Sequence, residues 1–354
     1  MKVKVIGAGS IGNHLTQACR RMRWDVTVVD TDPEALRRMK EEIYPQRYGA
    51  WDEGIQLVTS DQEPKGGFDI ICIGTPPHVR MPLAIAALSE KPKILQLEKP
   101  LCAPRLERLG EFMTAYRNQS DTIAVVGYDH AVSESVSWIT DNLREQRIGD
   151  AQSIDVEFRE HWKGIFGAHP WLSGPQDTYL GFWQKGGGAS GEHSHALHLW
   201  RHFAKAAGFG SWRKVSSFMD MKTHDGAEYD SLSAFTVETD AGRVGRIIQD
   251  VITLPTRKWI RLQGSKGFIE WYCNGHSDGD LVKYQFGDGP AEERIFAKKR
   301  PDDFYREILH IQNLINGEVS AVDSPISIES GVAVMELLRT AHEHRNEGAI
   351  IQML

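Results

Sequence analysis

With 354 residues, 41% of them hydrophobic, the chain can bury a large core without a metal or disulfide staple, and its length suggests two domains of ordinary size. Asp and Glu number 48 against 41 Lys and Arg, a net charge of −7, which argues against nucleic acid as a partner because phosphate binding needs a concentrated basic face. Cys19, Cys72, Cys102 and Cys273 form no CxxC pair and read as free thiols; there is no apolar run of about 18 residues and no signal-peptide pattern, so a cytoplasmic protein without a membrane partner is expected.

Residues 2–126 alternate short β-branched runs with helical patterns. The runs are KVKVI, WDVTVVD, FDIICI, PKILQL and DTIAVV; Ile11, Leu15, Ala18 and Met22 recur at helical spacing, and Pro82, Leu83, Ala86 and Ala87 lie in a second such stretch. This rhythm predicts an α/β Rossmann domain with a doubly wound parallel sheet over 1–126. Beyond about residue 150, strands such as SIDVEF, SAFTVET, GRVGRIIQDVI, KWIRLQG and GFIEWY follow one another with only turns between. Consecutive strands predict an α+β domain with a large, mostly antiparallel sheet over 127–354. Amphipathic segments at roughly 301–316 and 327–346 read as closing helices that can pack back on the first domain.

The first strand runs into Gly7-Ala8-Gly9-Ser10-Ile11-Gly12, which opens a helix. Gly7 suits a tight turn, Gly9 lets the backbone approach a pyrophosphate, Gly12 lets helix and strand pack closely, and the N–H groups at Ser10 and Ile11 face the anion. The second strand ends at Asp30, where a carboxylate accepts ribose hydroxyls and repels a 2′-phosphate, so NAD is preferred over NADP. The competing reading makes Asp30, with Asp32, a helix-capping acid. The fourth and fifth strands end in Gly74-Thr75-Pro76-Pro77-His78 and Glu98-Lys99-Pro100, both expected at the carboxyl edge of the sheet, where such folds bind ligands. Thr75, Pro76, His78, Glu98 and Lys99 join the cofactor candidates.

A glycine fingerprint, a TPP turn after strand four, an EKP after strand five, a GGG segment before a histidine-bearing helix and a closing helix pair together resemble the Gfo/Idh/MocA family of glucose-fructose oxidoreductase and inositol dehydrogenase. The resemblance implies that Lys99 lies beside nicotinamide and substrate, with Pro100 after a cis peptide, where the lysine hydrogen-bonds the reacting hydroxyl and assists proton transfer. It also implies a homodimer or homotetramer.

The second constellation is GGGASGEHSHALHLW, residues 186–200, with the glycines as a flexible entry and Glu192 three residues before His195 on a helix. Histidine suits removal of a hydroxyl proton near neutral pH, and a carboxylate one turn earlier orients it or binds a second hydroxyl. The family usually carries Asp and His four apart, with the histidine at the place of Ala196; His195 comes one residue early and Glu192 replaces the aspartate. His195 is assigned as base, with His193 as competitor. His193, His195 and His198 point to different faces, so no metal is expected.

Arg159, His161, Trp162, Lys163, His169, Trp171, Tyr179 and Trp183 crowd the stretch before the glycines. Aromatic faces suit a sugar ring, and Arg159, His161 and Lys163 alternate as if on one face of a strand, suited to a carboxylate or phosphate; the alternative is that the tryptophans are core or interface residues. By resemblance, Tyr128 and His130 are further substrate contacts. The expected function is NAD(P)-dependent hydride transfer to or from a secondary alcohol of a sugar, sugar acid or cyclitol. Two alternatives stay open: an NAD-retaining glycoside hydrolase or epimerase, and a non-catalytic NAD or sugar sensor.

Overall fold

The computed structural model describes residues 1–119, 121–167, 171–346 and 351–352. The chain forms two compact units: residues 1–102, 106–129 and 300–331 make the first, and residues 103–105, 130–299 and 332 onward the second.

In the first unit β1 (Lys2–Ile6), α1 (Ser10–Arg21), β2 (Asp25–Asp30), α2 (Pro33–Arg38), a π-helical turn, α3 (Tyr44–Tyr48), β3 (Ile55–Thr59), β4 (Ile70–Ile73), α4 (Pro77–Ser89), β5 (Ile94–Glu98), α5 (Leu109–Arg117) and β6 (Ile123–Gly127) follow in order. The strands lie in the order β3-β2-β1-β4-β5-β6, all parallel. Their cores are apolar runs, Val3 and Val5, Val26, Val28 and Val29, Ile70 to Ile73, because a parallel sheet is covered on both faces. The order reverses between β1 and β4, which opens the crevice at the strands' carboxyl ends. β3, carried by IQLVT, is a strand that the sequence pattern did not single out.

One polar residue breaks the apolar run of β1. Lys4 is fully buried, and its ammonium donates to Glu63 at 2.7 Å, Glu90 at 2.6 Å and the Pro64 carbonyl at 3.2 Å. A buried ammonium persists only when its donors are all met. This one ties the loop after β3 to the end of α4.

The second unit holds α6 (Glu134–Arg144), β7 (Ala151–Arg159), α7 (Trp162–Gly167), α8 (Gly188–Glu192), α9 (His195–Ala206) and the strands β8 (Trp212–His224), β9 (Ala227–Thr239), β10 (Val244–Asp250), β11 (Arg257–Gly264), β12 (Gly267–His276), β13 (Gly279–Phe286) and β14 (Glu292–Ala297). α10 (Arg300–Ile315) belongs to the first unit; α11 (Ile328–Glu343) starts there and enters the second, where β15 (Ile351–Gln352) pairs with β8. The nine strands run β14-β13-β12-β11-β7-β10-β9-β8-β15, antiparallel except for β7 beside β10. Ile154, Val156, Phe158, Ile260, Leu262, Ile269 and Trp271 alternate onto the buried face, with α9 covering it through Leu197, Trp200 and Phe203.

Candidate functional site

A cavity of about 680 Å³ opens in the first unit, and Gly7, Gly9, Asp30, Thr75, Pro76 and His78 line it. Gly7 sits at φ +106°, which only glycine adopts without strain, and a Cβ there would press Gly74 at 3.3 Å. A Cβ on Gly12 would stand 1.8 Å from the Gly7 carbonyl oxygen, so the third glycine is required for α1 to lie on β1. Gly9 faces open space, and no side chain caps the first turn of α1, which leaves the N–H groups at Ser10 and Ile11 to an anion. Asp30 accepts from the Ala8 N–H at 2.7 Å and the Asp32 N–H at 2.9 Å, and its carboxylate keeps acceptor capacity for ribose hydroxyls. Capping of α2 falls to Asp32, which accepts from the Glu34 N–H at 2.9 Å. The nearby Arg37 is spent on Glu34, Glu41 and Glu42 at 2.6 to 2.8 Å, so it is not poised for a 2′-phosphate. Thr75 Oγ1 is buried without a hydrogen-bond partner among the described residues, and the residue lines the cavity. The set fits a dinucleotide with free ribose hydroxyls, and the chain binds NAD.

Beside this cavity the EKP segment is built on buried groups. Arg80, on α4, is 2% exposed and donates to the Thr75, Glu98 and Pro100 carbonyls and to that of Leu101 at 3.4 Å, stitching the two strand-end loops together. Lys99 is half-buried, follows the fully buried β5 and precedes a cis peptide to Pro100. Behind it the Gln96 amide donates to Glu98 Oε1 and Glu307 Oε1, both at 2.9 Å. Burial pushes the Glu98 carboxyl up to about 7, with Arg80 opposing and Asp129 reinforcing. Glu307 is raised well above the carboxylate range by burial and then by Glu98 and Asp129. Tyr128, fully buried, directly follows β6.

In the second unit, the glycine segment is packed rather than loose. A Cβ on Gly187 would meet the Tyr179 carbonyl at 2.3 Å, on Gly188 the Asp230 carboxylate at 2.0 Å, and on Gly191 the Gly186 carbonyl at 2.1 Å. Asp230 is fully buried and accepts from the Ser190 N–H at 2.7 Å and the Ser233 hydroxyl at 2.5 Å; burial pushes it up to about 6. Glu192 and His195 are not on one helix: α8 ends at Glu192, a turn through His193 and Ser194 intervenes, and His195 opens α9. Both side chains are half-buried, whereas His193 and His198 are 2% and 1% exposed and the Gln249 amide donates to the His193 carbonyl. The His195 ring lies 4.7 Å from that of His130 and 6.4 Å from Phe158, with Trp271 6.0 Å from His130.

The expected basic face does not form. β7 ends at Arg159, whose guanidinium is held by Asp250 at 2.5 Å, and α7 starts at Trp162, so Arg159, His161 and Lys163 do not alternate on one strand. Trp162 packs on Phe166 and Tyr229 beside a small core of Ile165, Leu180, Ala189 and Val251. Trp183 stacks on His342 at 4.7 Å, and His169 lies outside the described residues.

Residues 1–128 match the family model described as an oxidoreductase family with an NAD-binding Rossmann fold. Over these residues the chain is similar to the Gfo/Idh/MocA family. No curated protein matches the sequence significantly. Among solved structures, levoglucosan dehydrogenase with NADH and L-sorbose is 16% identical with a TM-score of 0.77, over 100% of this chain and 99% of its own. Aldose-aldose oxidoreductase from Caulobacter crescentus, complexed with glycerol, is 15% identical with a TM-score of 0.76 over the same shares. The WlbA dehydrogenase of Bordetella pertussis, with NADH and UDP-GlcNAcA, is 18% identical with a TM-score of 0.71, over 100% of this chain and 98% of its own. At such identities the TM-scores show a shared fold alone.

Three residues of this site escaped the sequence reading. Arg80 carried a signal, a charge on the α4 stripe of Met81, Ala84 and Ala87. Gln96 stood as the one amide in ILQLE. Glu307 had no local signal, because only the return of α10 brings it to Gln96.

Proposed function

We propose that the chain catalyses NAD-dependent hydride transfer to or from a secondary alcohol of a sugar, sugar acid or cyclitol. The observation that carries this reading is the half-buried His195 at the start of α9, among the rings of His130 and Phe158, in a chain whose NAD-binding unit presents Lys99 at a strand end. NAD supplies the hydride acceptor when bound. His195 takes the hydroxyl proton, Lys99 donates a hydrogen bond to the same oxygen, and Glu192 orients the imidazole or holds a neighbouring hydroxyl. The burial of His193 favours His195 over it as base, since a base must reach the proton that it removes. An apolar ring wall suits the C–H face of a sugar, and structural relatives were solved with L-sorbose and with UDP-GlcNAcA. The subunit assembles as a homodimer or homotetramer.

The test is the absorbance of reduced nicotinamide with NAD and with NADP against aldoses, uronic acids, inositols and amino sugars, using wild type, Lys99→Met and His195→Ala. Turnover with NAD that drops by about 10² to 10⁴ in each variant supports the reading, the range that a positioned acid or base contributes. Tight NAD binding without net reduction by any alcohol refutes it and turns attention to glycoside cleavage.

A further inference from the structure

The cavity at the glycine fingerprint has an apolar wall and a charged end that neither the phosphates nor the ribose of a dinucleotide would use. On α4, Val79, Pro82, Leu83 and Ala86 line it at the spacing of one helical stripe, while Met81, Ala84 and Leu88 form the opposite, buried stripe. The lining stripe stays open: Val79 is 41% exposed, and Pro82 and Ala86 are exposed as well. A flat aromatic base is the part of a dinucleotide that covers such a wall.

The charged end comes from beyond β3. Asp30 pairs in register with Thr59, the last residue of β3, so Ser60 and its successors leave the sheet beside the carboxylate that suits the adenosine ribose. Ser60, Glu63, Lys65 and, from the end of α4, Glu90 line the same cavity. Beneath them the fully buried Lys4 holds Glu63 at 2.7 Å and both oxygens of Glu90 at 2.6 and 2.8 Å, and the Gly66 N–H donates to Glu90 at 2.6 Å. One buried ammonium thus serves two carboxylates and leaves one negative charge in excess. Lys65 also donates to Glu63, but its side chain is 63% exposed and water screens its share, whereas that of Glu63 is 13% exposed. Burial raises the Glu63 carboxyl and the two lysines more than reverse this, so it stays ionised and only accepts. Each of its oxygens takes one donor from a lysine and has a lone pair left for an N–H donor of a ligand.

Adenine carries such a donor in its exocyclic amine, whereas a 6-oxo purine presents an acceptor at the same place. We infer that Glu63 is a cofactor-binding residue that accepts from the exocyclic amine of the NAD adenine while the ring lies on Val79 and Leu83, so that the chain selects its cofactor by base as well as by ribose. Lys4 and Glu90 are positioning residues that act through Glu63. The inference rests on the NAD site alone and not on which alcohol is the substrate.

The experiment titrates the full-length protein with NADH and with reduced nicotinamide hypoxanthine dinucleotide, and with ADP and IDP, in wild type, Glu63→Gln and Lys65→Met. Wild type is expected to bind each adenine compound about 10- to 100-fold more tightly than its hypoxanthine counterpart, the worth of a hydrogen bond to a charged group. Glutamine offers both a donor and an acceptor, and Lys4 keeps Glu90, so Glu63→Gln should fold and bring the two bases within about threefold of each other. Lys65→Met, which replaces an exposed side chain, should keep the preference for adenine. Equal binding of the two bases by wild type overturns the inference and leaves the NAD site standing, whereas a protein that binds neither dinucleotide loses both. An unchanged preference in Glu63→Gln also overturns it, because a loss shared by both bases assigns Glu63 to the architecture of the fold. Should Glu63→Gln fail to fold, wild type decides with the diphosphate of purine riboside, which lacks the amine and adds no bulk. Binding at least about tenfold weaker than that of ADP supports the inference, and anything closer overturns it.

Discussion

The Gln96 amide holds two carboxyls at once, and replacing one of them, Glu307→Gln, separates their charges from their hydrogen bonds. Both acids are fully buried, and burial drives both upward, Glu98 from 4.5 to about 7 and Glu307 further. A carboxyl whose folded pKa exceeds its unfolded one contributes stability below pH 4.5 and loses it as pH rises towards 7. For Glu98 alone the shift corresponds to about 3 kcal/mol, at roughly 1.4 kcal/mol per unit. Most of that is desolvation, reinforced by Asp129, and survives the substitution; what the glutamine removes is the titration of Glu307 itself, which burial and then Glu98 and Asp129 hold well above the carboxylate range. Glutamine keeps the acceptor that Gln96 uses, so at pH 4.5 and below the variant and wild type should melt together. Above pH 7 the variant should be more stable by about 1–2 kcal/mol, or roughly 2–8 °C for a unit of this size. Circular dichroism melts at pH 4.5, 6 and 8 measure the difference. A variant destabilised equally at all three values, or an unaltered pH profile, would refute the charge argument and leave Glu307 as an ordinary packing residue.

Three other expectations concern the same unit. Gly12→Ala places a Cβ 1.8 Å from the Gly7 carbonyl oxygen, so α1 must lift from β1; urea unfolding should show a loss of about 1–3 kcal/mol, and NADH titration a loss of binding. Lys4→Met leaves Glu63 and Glu90 without the ammonium that they share and should cost about 3–5 kcal/mol in the same unfolding assay. Asp30→Ala removes the acceptor for the Ala8 N–H and for the ribose; NADH fluorescence titration should give about 10- to 100-fold weaker binding and a narrower gap between NAD and NADP.

The first sheet was legible because its signals are local. Each strand carries an apolar run, each crossing a helical stripe, and Gly7 to Gly12 and Asp30 mark their positions by residue type alone. β3 was missed because IQLVT is short and only Ile55 is buried in it, so tertiary pairing with β2 decides it. The second unit misled in three places. The glycines at 186–188 suggest freedom, yet Tyr179, Leu180 and Asp230 occupy the places where side chains on Gly187 and Gly188 would stand. Glu192 and His195 satisfy helical spacing, but a turn between them breaks the helix. Arg159 and His161 alternate as strand residues do, and Asp250 and the start of α7 end the strand. Such outcomes depend on partners far away in the chain, which spacing does not encode.

The edge strand β6 has one more consequence. Its Val126 N–H donates to the Ile326 carbonyl at 2.9 Å, Val125 pairs with Ser327, and Gly331 lies so close that a Cβ would reach Val126 at 2.5 Å. The stretch that carries the family signature, residues 1–128, therefore emerges from the ribosome about 200 residues before the segment that completes its sheet edge, and meanwhile exposes the strand edge and the polar face of Gln96. During that interval residues 130–299 of the second unit must be translated, so the NAD-binding unit is the first to be started and is finished late. A long-lived open edge of this kind is where chaperone engagement and misassembly concentrate, and the return of α10 and α11 closes it.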